Sequence, residues 1–133
     1  MGALQNKSIL VIDDDVGMLH ALTKVLAGEG CTVAGAASST VAMEYLLDSN
    51  RNLDLIITDI RMPLLDGLEV LDIVKANCPK VPVIVITAYG GPKAEAEARR
   101  SGAAAYLEKP VDSPKLLEVI YRALSDSGND TSP

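Results

Sequence analysis

Three consecutive carboxylates, Asp13, Asp14 and Asp15, follow the apolar run from Ser8 to Ile12. Side chains of one charge crowded this closely need a cation or must take up protons at neutral pH. Three more polar residues stand at the ends of later apolar runs: Asp59 after Leu55 to Thr58, Thr87 closing Val83 to Thr87, and Lys109 after Ala104 to Leu107. Each alone has a structural reading, with Asp15 a helix cap, Asp59 a turn former, Thr87 a strand residue and Lys109 a solvated charge. Gathered in one place they describe a phosphoryl-transfer site. An oxygen-only ligand set with no His or Cys nearby suits a hard cation, and few carboxylates with room for water suit Mg²⁺ better than Ca²⁺, with Mn²⁺ tolerated. The nucleophile is then an aspartate that forms an acyl phosphate, while an ammonium and a hydroxyl neutralise and orient the phosphoryl oxygens.

What gathers them is the pattern of elements. Short runs rich in β-branched residues alternate with longer amphipathic stretches, the signature of a parallel sheet covered by helices. Strands are expected at Ser8 to Ile12, Thr32 to Ala36, Leu55 to Thr58, Val83 to Thr87 and Ala104 to Leu107. The first helix carries the stripe Met18, Leu19, Leu22, Val25 and Leu26 and stops at Gly30. Ser39 or Thr40 caps the second, which Val41, Tyr45 and Leu46 anchor to the sheet. Asp66-Gly67 opens the third, with Val70, Leu71 and Val74 inward, and Pro79 and Pro82 forbid its continuation. The fourth, Pro92 to Ser101, alternates Ala and Glu with hardly any apolar stripe, so it is the least firmly held. The fifth has Ser113 as cap, Pro114 at its first position, and Leu116, Leu117, Ile120, Ala123 and Leu124 as its buried face. Five β-α units of this size make an α/β fold, a doubly wound (βα)5 flavodoxin-like three-layer sandwich with parallel sheet order 2-1-3-4-5. Its ligand site lies beyond the carboxyl ends of the strands, where strand order reverses between the first and third.

Composition narrows the partners. With 133 residues, 48% of them hydrophobic, the chain can bury the core of one domain, expected over residues 7–125 with a polar tail over 126–133. Twelve basic against eighteen acidic residues leave a net charge of -6, which disfavours nucleic acid and anionic membrane surfaces as partners of this chain. Cys31 and Cys78 form no CxxC pattern, no run suggests a signal peptide or a membrane span, and the Asn-x-Ser/Thr matches at Asn6 and Asn129 carry no weight without one. A cytoplasmic protein is expected.

The residues also carry a family resemblance. Ile-Leu-Val-Ile-Asp-Asp-Asp at 9–15, Thr-Asp-Ile-Arg-Met-Pro-Leu-Leu-Asp-Gly at 58–67, Val-Ile-Thr-Ala at 85–88 and Gly-Ala-Ala-Ala-Tyr-Leu-Glu-Lys-Pro at 102–110 resemble a response-regulator receiver domain of two-component signalling. The resemblance implies that Asp59 accepts the phosphoryl group. It further implies that Asp14 is a direct metal ligand, that Asp13 acts largely through water and that the Arg61 carbonyl completes the metal contacts. Thr87, Ala88 and Lys109 then resemble the groups around the phosphoryl oxygens, Tyr106 the aromatic switch residue, and Lys109-Pro110 the family's cis peptide. The implied partners are a sensor histidine kinase or phosphotransfer protein. A second copy or an output domain outside this chain is implied on the face formed by the fourth helix, fifth strand and fifth helix. A receiver regulates rather than acting as an enzyme on a substrate, catalysing only its own phosphorylation and dephosphorylation. Leu64 departs from relatives with Gly or a polar residue there, and the Asp-Ile-Arg-Met-Pro wording is common among receivers of enhancer-binding transcription activators.

Other readings fit less of the chain. A haloacid-dehalogenase-like phosphatase also uses Asp-x-Asp after its first strand and predicts the nucleophile at Asp13, but Gly17 stands where its motif wants Thr or Val, and Asp59 and Lys109 go unexplained. A flavin-binding module needs a phosphate cradle where this chain has three carboxylates. A pseudo-receiver that only binds a partner does not account for the complete set of chemical groups. His20 lies off the apolar stripe of its helix and reads as a surface residue, and the charges from Lys93 to Arg100 as a solvated helix face. Arg61, two residues after Asp59, and Tyr89, two after Thr87, flank the approach of a hydrolytic water and are expected to slow it, with Asp15 and Tyr89 as accessory residues of the site.

Overall fold

Eleven of the fifteen residues of β1 (Ser8–Ile12), β3 (Leu55–Asp59) and β4 (Val83–Thr87) are apolar, in runs that do not alternate, so these strands need cover on both faces. The computed structural model, which describes residues 4–48, 52–60, 67–88 and 90–126, meets that need with a five-stranded parallel sheet between two layers of helix. With β2 (Thr32–Ala36) and β5 (Ala105–Glu108) at the edges, the strand order is β2-β1-β3-β4-β5. The doubly wound fold and the expected order are both present.

Alternation along each strand sorts the core into two halves. Ile9, Val11, Ile57, Ile84 and Leu107 face α1 (Val16–Gly28) and α5 (Ser113–Asp126), meeting Leu22, Leu26, Leu116 and Ile120. Leu10, Ile12, Ile56, Val85 and Tyr106 face the other way, toward α2 (Ser39–Leu46), α3 (Gly67–Asn77) and α4 (Pro92–Arg100). From α3 come Val70, Leu71 and Val74, all fully buried, as their spacing predicts. Only Ala98 of α4 is buried, the consequence of its missing apolar stripe.

Several boundaries differ from expectation. β3 and β5 each reach one residue further, to Asp59 and Glu108, and β5 starts one residue later, at Ala105. Ser38, not Ser39 or Thr40, caps α2: its hydroxyl oxygen accepts the Val41 N–H at 3.2 Å, while Ser39 is buried in the first turn. That shift turns Val41 outward and gives the inward positions to Ala42 and Leu46. At α5 the first backbone bond runs from Leu116 N–H to the Asp112 carbonyl, so Asp112 occupies the cap and Pro114 the second helical position. A bifunctional Ser-Pro start fits either register, and the backbone ladder decides between them. Asp66 and residues 127–133 of the expected tail lie outside the described residues.

The core also extends before β1. Leu4 is fully buried in the α1/α5 half, and Asn6 N–H donates to the Gly30 carbonyl at 2.9 Å. Gly30 has φ +91°, and a Cβ there would run into Gln5, so this strap fits only over a glycine. Neighbouring polar residues hide Leu4 from a search for periodicity. Leu4→Ala is expected to lower stability by about 2–5 kcal/mol, read from urea denaturation. A change inside about 0.5 kcal/mol would show that the strap adds nothing to the core.

Candidate functional site

All the polar strand ends of the sequence reading lie along the carboxyl edge of the sheet. Asp13 follows β1, held there by its N–H to the Ala36 carbonyl at 3.0 Å. The residue is 2% exposed. Oδ1 accepts the Asp15 N–H at 2.9 Å, and Oδ2 accepts from the Lys109 ammonium at 3.0 Å. Asp59 closes β3, is also buried, and receives the same ammonium on Oδ2 at 3.0 Å. Lys109 reaches both because its own N–H donates to the Thr87 carbonyl at 2.8 Å, which continues the β4–β5 ladder past Glu108. Thr87 is fully buried at the end of β4, beside the exposed Ala88. The Lys109-Pro110 peptide is cis, and Pro110 is exposed.

Asp14 projects outward, yet one carboxylate oxygen each from Asp13, Asp14 and Asp59 lie within 4.8 Å of one another. Three carboxylates against one ammonium leave two negative charges, and the donors are all oxygen, so the set suits a hard dication.

Burial raises the Asp13 carboxyl above its ordinary range, and the charge of Asp59 adds to this, while the Asp15 N–H and Lys109 pull it back. Burial opposes the charge of Lys109, but hydrogen bonds and attraction from Asp13 and Asp59 outweigh it and raise its pKa. The Tyr106 phenol is raised by burial first and then by the charge of Glu108.

Not every expected site residue joins the cluster. Asp15 acts as the α1 cap, its Oδ1 accepting the Met18 N–H at 3.2 Å. Tyr106 points into the core on the α4 side, 9% exposed. His20 is exposed. Arg61 and Tyr89 lie outside the described residues, and with them the expected metal carbonyl and the expected water shield. Glu108 escaped the sequence reading: it accepts the Gly91 N–H at 2.8 Å. Its signal was its place two residues after Tyr106, hence on the same face of one strand.

Comparison with known proteins decides the family. Residues 9–121 match the model of the response regulator receiver domain. The chain belongs to that family. Over 90% of its length, this receiver is 38% identical to the transcriptional regulatory protein ZraR of Escherichia coli O157:H7, and over 98% it is 33% identical to the DNA-binding transcriptional regulator NtrC of Escherichia coli K12. In each case it spans 27% of the relative's length. Among solved structures, a CheY-like receiver domain protein from Methanospirillum hungatei JF-1 superposes with TM-score 0.87 at 29% identity, over 96% of this chain and all of that one. The beryllofluoride-activated NtrC4 receiver domain dimer superposes with TM-score 0.84 at 30% identity, over 91% of this chain and 98% of that one. The receiver is a regulatory domain of two-component response regulators. No helix among its described residues is long and apolar enough to cross a membrane.

The shifted groups predict the alkaline behaviour of this receiver. Lys109 and Tyr106 both hold their protons more tightly folded than unfolded, where the ordinary values are 10.5 and 10.0. Their contribution is therefore fully present below the unfolded values and is lost as pH climbs through the raised folded ones. Stability should fall as pH climbs past about 10, and Lys109→Met and Tyr106→Phe should each flatten that fall. Denaturation midpoints across the range check this. A fall equally steep in both variants would assign the alkaline transition to other groups.

Proposed function

We propose that this receiver takes a phosphoryl group onto Asp59 from a sensor histidine kinase, a phosphotransfer protein or a small phosphodonor. The single observation that carries the proposal is the Lys109 ammonium bridging Asp13 and Asp59 within a cluster that keeps two uncompensated negative charges. A carboxylate oxygen of Asp59 attacks the phosphorus in line. As the new oxygen–phosphorus bond forms, the phosphorus–nitrogen bond of a phosphohistidine breaks, and its electron pair returns to an imidazole that leaves neutral because its other nitrogen carries a proton.

Asp13, Asp14 and Asp59 would hold Mg²⁺, or Mn²⁺, together with the Arg61 carbonyl. When bound, such an ion neutralises charge on the phosphoryl oxygens. Lys109, already paired to both buried carboxylates, is placed to follow the charge as it moves onto the phosphoryl group. Thr87 and the backbone at Ala88 supply hydrogen bonds to the remaining oxygens. Drawing Thr87 toward the phosphoryl group leaves room on the α4 side for Tyr106, so the ring reports the state of the site as a shift in an existing equilibrium. Tyr89 and Arg61 are proposed to cover the phosphoryl group and slow its hydrolysis.

The output face is proposed to be that of α4, β5 and α5. A groove of about 500 Å³ there is lined by Tyr106 itself, with Ala104, Ala105 and Ala123 beneath Arg99, Lys115 and Arg122. One end of the switch residue thus opens onto the surface that a second copy or an output domain would meet. The receiver module is proposed to occupy residues 7–125 together with the Leu4 strap before them and the last helical residue, Asp126, with a linker or tail over 127–133, in the cytoplasm and without contact to nucleic acid or membrane. The names of ZraR and NtrC support an output in transcription.

Acetyl phosphate with Mg²⁺ should add one phosphoryl group, and Asp59→Asn or chelation should abolish labelling, both read by intact mass. If Asp59→Asn labels like the parent, Asp13 becomes the preferred nucleophile. Beryllofluoride should raise the mass measured by sedimentation toward that of a dimer. A mass that stays monomeric would give the α4/β5/α5 face to another partner.

A further inference from the structure

The first turn of α4 has no side-chain cap of its own. Gly91 stands at the N-cap with no side-chain oxygen to offer, and Ala94 occupies the position where a capping box places Glu or Gln. The acceptor comes instead from a different element: a carboxylate oxygen of Glu108 accepts the Gly91 N–H at 2.8 Å. Glu108 ends β5 opposite Thr87 and shares a strand face with Tyr106. Gly90 closes the arrangement. A Cβ at this glycine would overlap both the Tyr106 hydroxyl oxygen and the Glu108 oxygen that accepts from Gly91. The backbone at Gly90 therefore rests directly on the two side chains. Among the described residues the buried Tyr106 hydroxyl has no hydrogen-bond partner, so the ring's position depends on packing and on what closes over it.

We propose that Glu108 is a positioning residue for the switch. Its carboxylate latches the Gly90-Gly91 segment over Tyr106, holds the ring inward, and so biases the α4/β5/α5 face toward the arrangement that phosphorylation of Asp59 favours. The proposal deepens the reading of Asp59 as acceptor and Tyr106 as switch, and its link to phosphorylation rests on that reading. A charged acceptor on a helix-capping N–H is the stronger kind of hydrogen bond, but Glu108 is exposed, so water competes for it. The latch therefore tilts the equilibrium and does not lock it.

The test labels the four tyrosines with fluorotyrosine, assigns the Tyr106 signal through Tyr106→Phe, and measures its exposure to a soluble paramagnetic probe. Glu108→Leu should raise the outward-to-inward ratio of Tyr106 about five- to tenfold. Glu108→Gln keeps an oxygen that can accept the same N–H and should restore most of the shielding. Beryllofluoride should then draw the ring inward in Glu108→Leu, but at higher concentration than in the parent, because the competent state is less populated. Tyr106 as shielded in Glu108→Leu as in the parent overturns the latch. If Asp59→Asn responds to beryllofluoride like the parent, the acceptor reading fails, while the comparison of ligand-free variants still decides the latch.

Discussion

The constraint on which the rest of this structure depends is the placing of one ammonium between two buried carboxylates. Removing Asp13 and Asp59 from water is costly, and like charges at short range add to that cost. The Lys109 ammonium, 3.0 Å from each, offsets much of it. These partners come from 96 and 50 residues away in the chain, so no local element can assemble them. β5 must pair with β4 in the register that sends the Lys109 N–H to the Thr87 carbonyl. β1 and β3 must lie side by side so that Asp13 and Asp59 share one edge. The remaining imbalance of charge suits the edge to a dication.

The parallel sheet supplies that geometry because every strand runs the same way. All five carboxyl ends open at one edge, and the reversal of order beside β1 separates the helices that would otherwise cover it. Local chemistry at the edge serves the same purpose. Asp15 spends its side chain on the N-terminus of α1 and its N–H on Asp13, so one residue both starts the helix and orients a carboxylate of the cluster. Of three consecutive aspartates, one is buried in the cluster, one projects from it and one caps a helix.

β5 carries the connection from this edge to the surface. Lys109, the residue after β5, joins the carboxylate cluster, while Tyr106 and Glu108 face α4, so the cluster and α4 meet neighbouring residues at the end of one short strand. Weak burial of α4 makes it the element whose displacement costs least. Its N-terminus is tied by a carboxylate borrowed from β5, an arrangement that couples the helix to the strand more directly than a cap of its own would.

By itself the sequence determined the alternation of strands and helices, the parallel order and the residues at the carboxyl edge, because apolar runs and period-3.6 stripes are local and because Asp13, Asp59, Thr87 and Lys109 each end such a run. The helix stripe of α3 was legible in Val70, Leu71 and Val74, and the family motifs marked most of the site. Caps were legible only to within a residue: Ser38, Ser39 and Thr40 are all competent, and the backbone ladder chooses among them. Tertiary structure alone decided which oxygen meets which nitrogen. It took the assembled sheet to put Lys109 on both carboxylates, to bury Leu4 beneath α1 and α5, and to hand the cap of α4 to Glu108. Those contacts join residues distant in the chain, and their energies depend on burial and register, which no stretch of residues specifies before the strands have paired.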